Sequence, residues 1–305
     1  MSLLICTDDE RKRILQVYNR DEASLKEDVE CVKKWIKSQP HLPEVMDDRQ
    51  IERFLTQNKF SIERTKERID MYYTIRELVP EFYKNTNPKL PHMKFMLNAT
   101  FVCPLPKLTK DLYRVQFLKI NEDVDSVEQF DPNHYYMTTF HYAEIRSWED
   151  INLSTILVYD FKGTTFGHIS KFNPMHTKKA AMILNKVWGD RIAGIHIFNC
   201  PSYVETFLNA IKPFISQKLK ERLHVHKDLS YLQQYFDKSI LPKDYGGEER
   251  SLLELHELWK QKFEEYQPRF DILDSFKIDE KLRPEKLKND DLLGFHGNFK
   301  SLAVD

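Results

Sequence analysis

Glycine is scarce in this chain, with eight residues in 305. None of them falls in a Gly-x-Gly-x-x-Gly or Gly-x-x-x-x-Gly-Lys arrangement, so the usual backbone cradles for nucleotide phosphates are missing. A Gly-x-Ser-x-Gly nucleophile elbow is missing too. Cysteine is nearly as sparse. Cys6, Cys31, Cys103 and Cys200 stand apart with no Cys-x-x-Cys pair, which excludes a zinc knuckle and a dithiol motif and fits four reduced thiols. No charge sign dominates: 46 Lys+Arg against 47 Asp+Glu leave a net charge of -1. Bulk charge therefore predicts no nucleic-acid binding, and any basic surface must be local. Long apolar runs are also lacking. No segment approaches the roughly 20 residues of a membrane-spanning helix. The opening Leu3-Leu4-Ile5 is too short for a signal peptide and has no basic start. These absences predict a soluble, cytoplasmic protein without a resident metal or cofactor.

What is present is enough for a sizeable core, since 41% of residues are hydrophobic and 30% charged. Residues 8 to about 80 read as helices. Ile51, Phe54 and Leu55 share one face, and Ile62, Ile69, Tyr72 and Tyr73 share another behind a capping Ser61, with Pro80 closing the run. Pro88, Pro91, Pro104 and Pro106 mark a boundary over 84–112, with one short strand near Phe101. Strand-like runs then alternate with helices. Strands are expected at 113–120, 155–160, 193–198 and 222–226, and helices at 132–149, 174–188, 202–219 and 251–266. That order predicts an α/β fold with a mostly parallel sheet. The expected division is a helical module at 1–84, an α/β domain at 85–266 and a charged, loosely packed arm at 267–305.

Two apolar stripes stand out. Ala180, Ile183, Leu184, Val187 and Trp188 form one; Val204, Phe207, Leu208, Ile211 and Ile215 form the other. On periodicity alone both read as ordinary core. Pro213 interrupts the second, so the helix should break near Lys212 and restart. A broken apolar helix followed by Lys218, Lys220 and Arg222 suits either a moving element or a static kink.

At this point the spacing of several motifs converges. They are Asp160-x-x-Gly163, Gly194-Ile-His196-x-x-Asn199, Ile211-Lys-Pro-Phe214, Lys218-x-Lys-Glu-Arg222, His224-x-His226 and Leu241-Pro-Lys-Asp-Tyr245-Gly-Gly247. In this order the chain resembles the CRAL-TRIO lipid-binding family, in particular its tocopherol and retinaldehyde transfer members. The resemblance implies an amino-terminal helical module followed by a sheet floor, surrounding helices and a gate helix over an apolar cavity. By position the gate is Pro201 to Leu219. The implied cavity wall is Tyr159, Phe172, Ala180, Ile183, Leu184, Trp188, Phe207, Ile211, Phe214 and Ile215. The implied partners are a hydrophobic small molecule (tocopherol, retinoid, carotenoid or similar) and, transiently, an anionic phosphoinositide membrane. The family's basic patch maps onto Arg53, Arg191, Lys218 and Arg222. Ala193 stands where tocopherol-type members have a further basic residue.

Other readings have less behind them. His224 and His226 share a face of a strand, and His168, His176 and His196 lie near in sequence, but no His-Glu-x-x-His or carboxylate partner accompanies them. Cys200 has no assignable base. No catalysis is expected. Phospholipid exchange, as in the phosphatidylinositol transfer branch of the same superfamily, would need a polar head-group pocket, whereas this wall is nearly all apolar. A non-catalytic regulatory scaffold is the remaining alternative.

Overall fold

Thr7 starts the first helix by a reciprocal cap. Its hydroxyl accepts from the Glu10 amide, and the Glu10 carboxylate accepts from the Thr7 amide at 2.8 Å. The computed structural model describes residues 2–284, apart from the side chain of Phe214. That first helix, α1 (Asp8–Gln16), leads into α2 (Glu22–Lys37), α3 (Asp48–Gln57) and α4 (Ile62–Leu78). Asp21 and Asp47 cap α2 and α3, but Ser61 makes no side-chain cap on α4. The apolar stripes meet in one core through Val32, Ile36, Ile51, Phe54, Ile69 and Tyr72. Pro80 opens a single 3-10 turn, Pro80–Phe82.

Two elements follow in the proline-rich boundary. α5 (Pro91–Ala99) carries Pro91 at its start, where a missing N–H costs nothing. β1 (Thr100–Leu108) is longer than the short strand expected near Phe101 and contains Pro104 and Pro106. It tolerates them because it is an edge strand, antiparallel to β2 (Tyr113–Ile120) with its register shifting between Pro104 and Leu108. Next come α6 (Pro132–Glu149), β3 (Ser154–Asp160), the short α7 (Phe166–Ile169) and α8 (Pro174–Ile183). α8 runs into a π-helical turn, Leu184–Trp188, that ends at Gly189 with φ +68°. β4 (Ile192–Phe198), α9 (Ser202–Ile211), α10 (Gln217–Lys220), β5 (Leu223–Val225), α11 (Ser230–Tyr235), α12 (Leu252–Glu265) and α13 (Gln267–Leu273) follow, with single 3-10 turns at Lys212–Phe214, Lys243–Tyr245 and Glu280–Leu282.

The sheet has strand order β1-β2-β3-β4-β5, parallel from β2 onward. The fold is thus the mixed α/β arrangement expected, an amino-terminal helical module followed by a mostly parallel sheet. Register separates the two faces. Leu118, Tyr159 and Ile197 are aligned on one, and Phe117, Val158 and His196 on the other. The second face is closed by α11 and α12 through Leu232, Phe236, Leu255 and Trp259. The Trp259 indole donates to the Pro104 carbonyl at 3.0 Å, which uses an edge-strand acceptor. The first face lies toward α9.

The segment from 267 is not a loose arm as far as residue 284. Phe270 is buried in the sheet-side core, Ile278 in the helical-module core, and Arg283 pairs with Asp70. Its apolar residues are too widely spaced to read as a pattern, but each finds an existing groove. Residues 285–305 of the expected arm lie outside the described residues.

Candidate functional site

Alternation along β3 and β4 puts Leu157 and Tyr159 beside Ile195 and Ile197 on the sheet's first face. α9 lies across it. Ile169, Ile197, Val204 and Leu208 are fully buried there, while twice as many apolar neighbours, among them Tyr159, Ile195, Phe207, Ile211 and Leu223, are only half-buried. The helical-module core has the opposite balance, with most of its members fully buried. The α9–sheet layer therefore keeps much apolar surface unsealed. Burial pushes the Tyr159 phenol up to about 12 with no charged neighbour contributing, although the residue itself is half-buried.

The interruption at Pro213 is where the sequence suggests it. α9 ends at Ile211, a 3-10 turn covers Lys212–Phe214 with Pro213 in its first positions, and α10 restarts behind Ser216, whose hydroxyl accepts from the Leu219 amide. The segment 201–219 is thus three short pieces, not one rigid rod.

The ten expected wall residues divide. Tyr159, Phe207 and Ile211 meet in the α9–sheet layer. Phe172 joins them through Phe207, at 5.5 Å between ring centroids, and also reaches Phe130 and Tyr136. Ile215 is half-buried just past the proline turn. Ala180, Ile183 and Trp188 lie on the other side of α8, in the core shared with the helical module, where Trp188 stands edge-on to Tyr72 at 5.3 Å. Leu184 is half-buried against that same core. An apolar stripe on α8 cannot tell which of two neighbours it serves, and here α4 takes it. The side chain of Phe214 lies outside the described residues. Ile195 also lies in this layer; the helical stripes did not reveal it, though period-2 alternation along β4 carries it.

The four expected basic residues also divide. Arg53 is 5% exposed and sits inside, not on a docking surface. It donates to Asp190 at 2.6 Å and to Asn152, within a network in which Arg146 bridges Asp190 at 2.8 Å and Asp150 at 2.9 Å. Arg114, fully buried, completes it at 2.8 Å from Asp150. Burial lowers the affinity of Arg53 for its proton, opposed by Asp190 and Asp150. Arg191 is half-buried with its guanidinium 5.6 Å from the Tyr18 ring centroid. Arg222 is half-buried and donates to the Ile192 carbonyl. Lys218 on α10 is exposed. Arg222 thus reaches the start of β4, next to Arg191 in the chain, while Lys218 lies on α10.

The motif residues near the ends of β3 and β4 do something else. Asp160 accepts from the Tyr245 hydroxyl and from the Asn199 amide, each at 2.7 Å, and from the Lys162 backbone at 2.9 Å. Gly246 has φ +78°, and a side chain on Gly247 would strike the Leu241 carbonyl. Asp160, Asn199 and Tyr245-Gly-Gly247 are one structural clasp, remote from the wall residues except through β3. On the sheet's second face His196 Nδ1 and His226 Nε2 lie 2.9 Å apart, with the rings stacked. Among the described residues no group of three or more His, Cys, Asp or Glu side chains is disposed to hold a metal. Burial pushes the Cys200 thiol up to about 11, which is the wrong direction for a nucleophile. Among the described residues no helix is long and apolar enough to cross a membrane.

Residues 98–247 match the CRAL/TRIO domain, and residues 21–93 match the Pinta-like UBA domain. The curated relatives include "Alpha-tocopherol transfer protein-like" of Mus musculus, 28% identical over 72% of this chain and 64% of that protein. They also include "Clavesin-2" of Rattus norvegicus, 26% identical over 75% of this chain and 71% of that protein. The chain thus spans 64% of the length of the tocopherol-transfer-like relatives it matches. The solved structure of Sfh5 aligns with 80% of this chain and 99% of its own, at 15% identity and a TM-score of 0.45.

Proposed function

From the premise that the chain belongs to the CRAL/TRIO family through residues 98–247, we propose that it binds one small hydrophobic molecule between the sheet and α9. It carries that molecule between membranes and catalyses nothing. The observation that carries this reading is the unsealed layer: Tyr159, Ile195, Phe207 and Ile211 are half-buried apolar residues packed around Ile197, Val204 and Leu208. Such a layer suits a ligand without a charged head, of the tocopherol, retinoid or carotenoid type. The wall in this proposal is Tyr159, Phe172, Ile195, Phe207, Ile211 and Ile215. Burying about 500 Å² of apolar ligand contributes on the order of 12 kcal/mol at ~25 cal/mol per Å², before the costs of association.

Entry requires α9 to lift. The breaks at Pro213 and Ser216 let α9 swing without disturbing β5. Lys218, Arg222 and Arg191 supply attraction to an anionic leaflet, at ~1 kcal/mol for each basic residue near the surface. That strength suits brief docking. The test is transfer of a neutral fluorescent lipophile between vesicles with and without phosphoinositide. The reading expects saturable pickup and faster delivery to the anionic vesicles; no pickup from either would refute it.

A further inference from the structure

A cavity of about 740 Å³ lies away from the sheet and α9, where α4, α6 and α13 come together. Its wall is rich in rings, with Phe82, Tyr83, Phe140, Trp188, Phe270 and Phe276 all lining it. Tyr83 and Phe140 stack with 5.7 Å between centroids. The volume is in the range that holds a small organic ligand.

Some polar groups on this wall pair with one another, as Asn87 does with Asp274 at 2.7 Å, but those deeper among the rings do not. Arg76 lines the cavity with its side chain only 11% exposed. Its guanidinium lies 4.4 Å from the Tyr72 ring centroid and 5.3 Å from that of Tyr83. Among the described residues it hydrogen-bonds only the Tyr72 carbonyl, and its nearest carboxylate, Glu144, stays 4.0 Å away. Glu144 is already engaged, accepting from the Tyr72 hydroxyl at 2.7 Å and from Arg269 at 2.9 Å. Most of the five guanidinium donors thus lack a protein acceptor. Three further buried atoms on this wall have no partner among the described residues: the Tyr83 hydroxyl, His141 Nδ1 and Trp188 Nε1. They come from three different segments. Burial, reinforced by Arg76, pushes His141 down to about 3, so its ring is neutral and adds no second charge. Buried donors are rarely left unpaired in a folded chain, because the penalty for doing so exceeds the gain from making the bond.

We propose that this cavity is a second ligand site, and that it takes a lipophilic monocarboxylate with its carboxylate on Arg76 and its apolar body among the rings. The planar guanidinium matches a carboxylate fork. Lys84, Lys89 and Lys277 also line the cavity but are exposed, so Arg76 is its buried cation. One buried, incompletely answered guanidinium suits one negative charge, and a phosphate dianion would leave buried charge in excess. The site is independent of the carrier reading, because it uses none of the proposed wall residues.

The test uses the full chain with two matched probes: oleate labelled with ¹³C at its carboxyl carbon, and oleyl alcohol. Calorimetry gives affinity, and the ¹³C shift reports the carboxylate's surroundings. Oleate is expected to bind saturably. Arg76→Gln should weaken it at least tenfold and remove the shifted ¹³C signal, with oleyl alcohol affinity unchanged. Leu273→Trp, which leaves Arg76 in place and fills the cavity, should weaken oleate as well; it covers the case in which Arg76→Gln does not fold. Phe207→Asp should leave the shifted signal intact, so failure of the carrier reading and failure of this one are separable. Absence of saturable oleate binding, affinity within twofold of the native value in both cavity variants, or one-for-one displacement of oleate by oleyl alcohol would overturn the proposal.

Discussion

Phe207 on α9 meets Phe172, in the loop before α8, at 5.5 Å between ring centroids. Phe172 in turn touches Phe130 and Tyr136, so one aromatic contact ties α9 to α6. Phe207→Asp places a charge among the half-buried apolar residues of the layer. It should cut retention of a bound neutral lipophile at least tenfold, as measured by gel filtration of the loaded protein. Full retention would put Phe207 outside the wall.

The basic edge can be tested separately from the wall. Lys218→Glu combined with Arg222→Glu reverses two charges at the exposed end of the segment that holds α10. Transfer to phosphoinositide vesicles should slow severalfold and lose its dependence on ionic strength, with equilibrium binding in solution unchanged. Transfer at the native rate would remove the edge from the account. Arg53 belongs in no such variant, since it is committed to Asp190.

The buried arginines make a stability prediction. Asp150 faces Arg114, Arg146 and Arg53, at 2.8, 2.9 and 3.9 Å. Burial alone would raise its pKa, but the three guanidinium groups outweigh burial and hold the carboxyl well below the usual range. Asp150→Asn leaves those charges under-compensated and should cost about 3–5 kcal/mol in urea unfolding. A loss under 1 kcal/mol would mean that solvent reaches the network.

Acid should weaken the fold through His196. Burial, then His226 and His224, lowers it to about 4 from an ordinary 6.5, and Tyr235 covers it from α11. Below pH 6.5 the unfolded chain takes up a proton that the folded chain refuses until about pH 4. Stability present above 6.5 is therefore lost as pH falls toward 4, by about 2 kcal/mol between pH 7 and 5 for this one group. His196→Phe keeps a ring in the stack and should flatten that part of the urea-midpoint profile. An unchanged slope would assign the acid sensitivity elsewhere.

Strands 113–120, 155–160 and 193–198 were legible because β-branched and aromatic residues concentrate there, and the proline break in α9 because its physics is local. β1 was under-read, since the pairing that excuses Pro104 and Pro106 lies with β2 and not in the strand itself. Arg53 shows the harder limit. Its burial depends on Asp190, 137 residues away, and no local pattern carries that distance. The same holds for Ala180 and Ile183, whose stripe is legible but whose neighbour, α4, is not. The cavity beside Arg76 was invisible for a related reason. Arg76, His141, Trp188 and Phe270 come from four separate stretches of chain.

The most direct measurement is solvent extraction of the protein purified from a eukaryotic host, with the extract identified by mass spectrometry. The account predicts one neutral lipophile in near-stoichiometric amount, depleted in Phe207→Asp. A phospholipid in that amount, or a reproducibly empty extract, would contradict it.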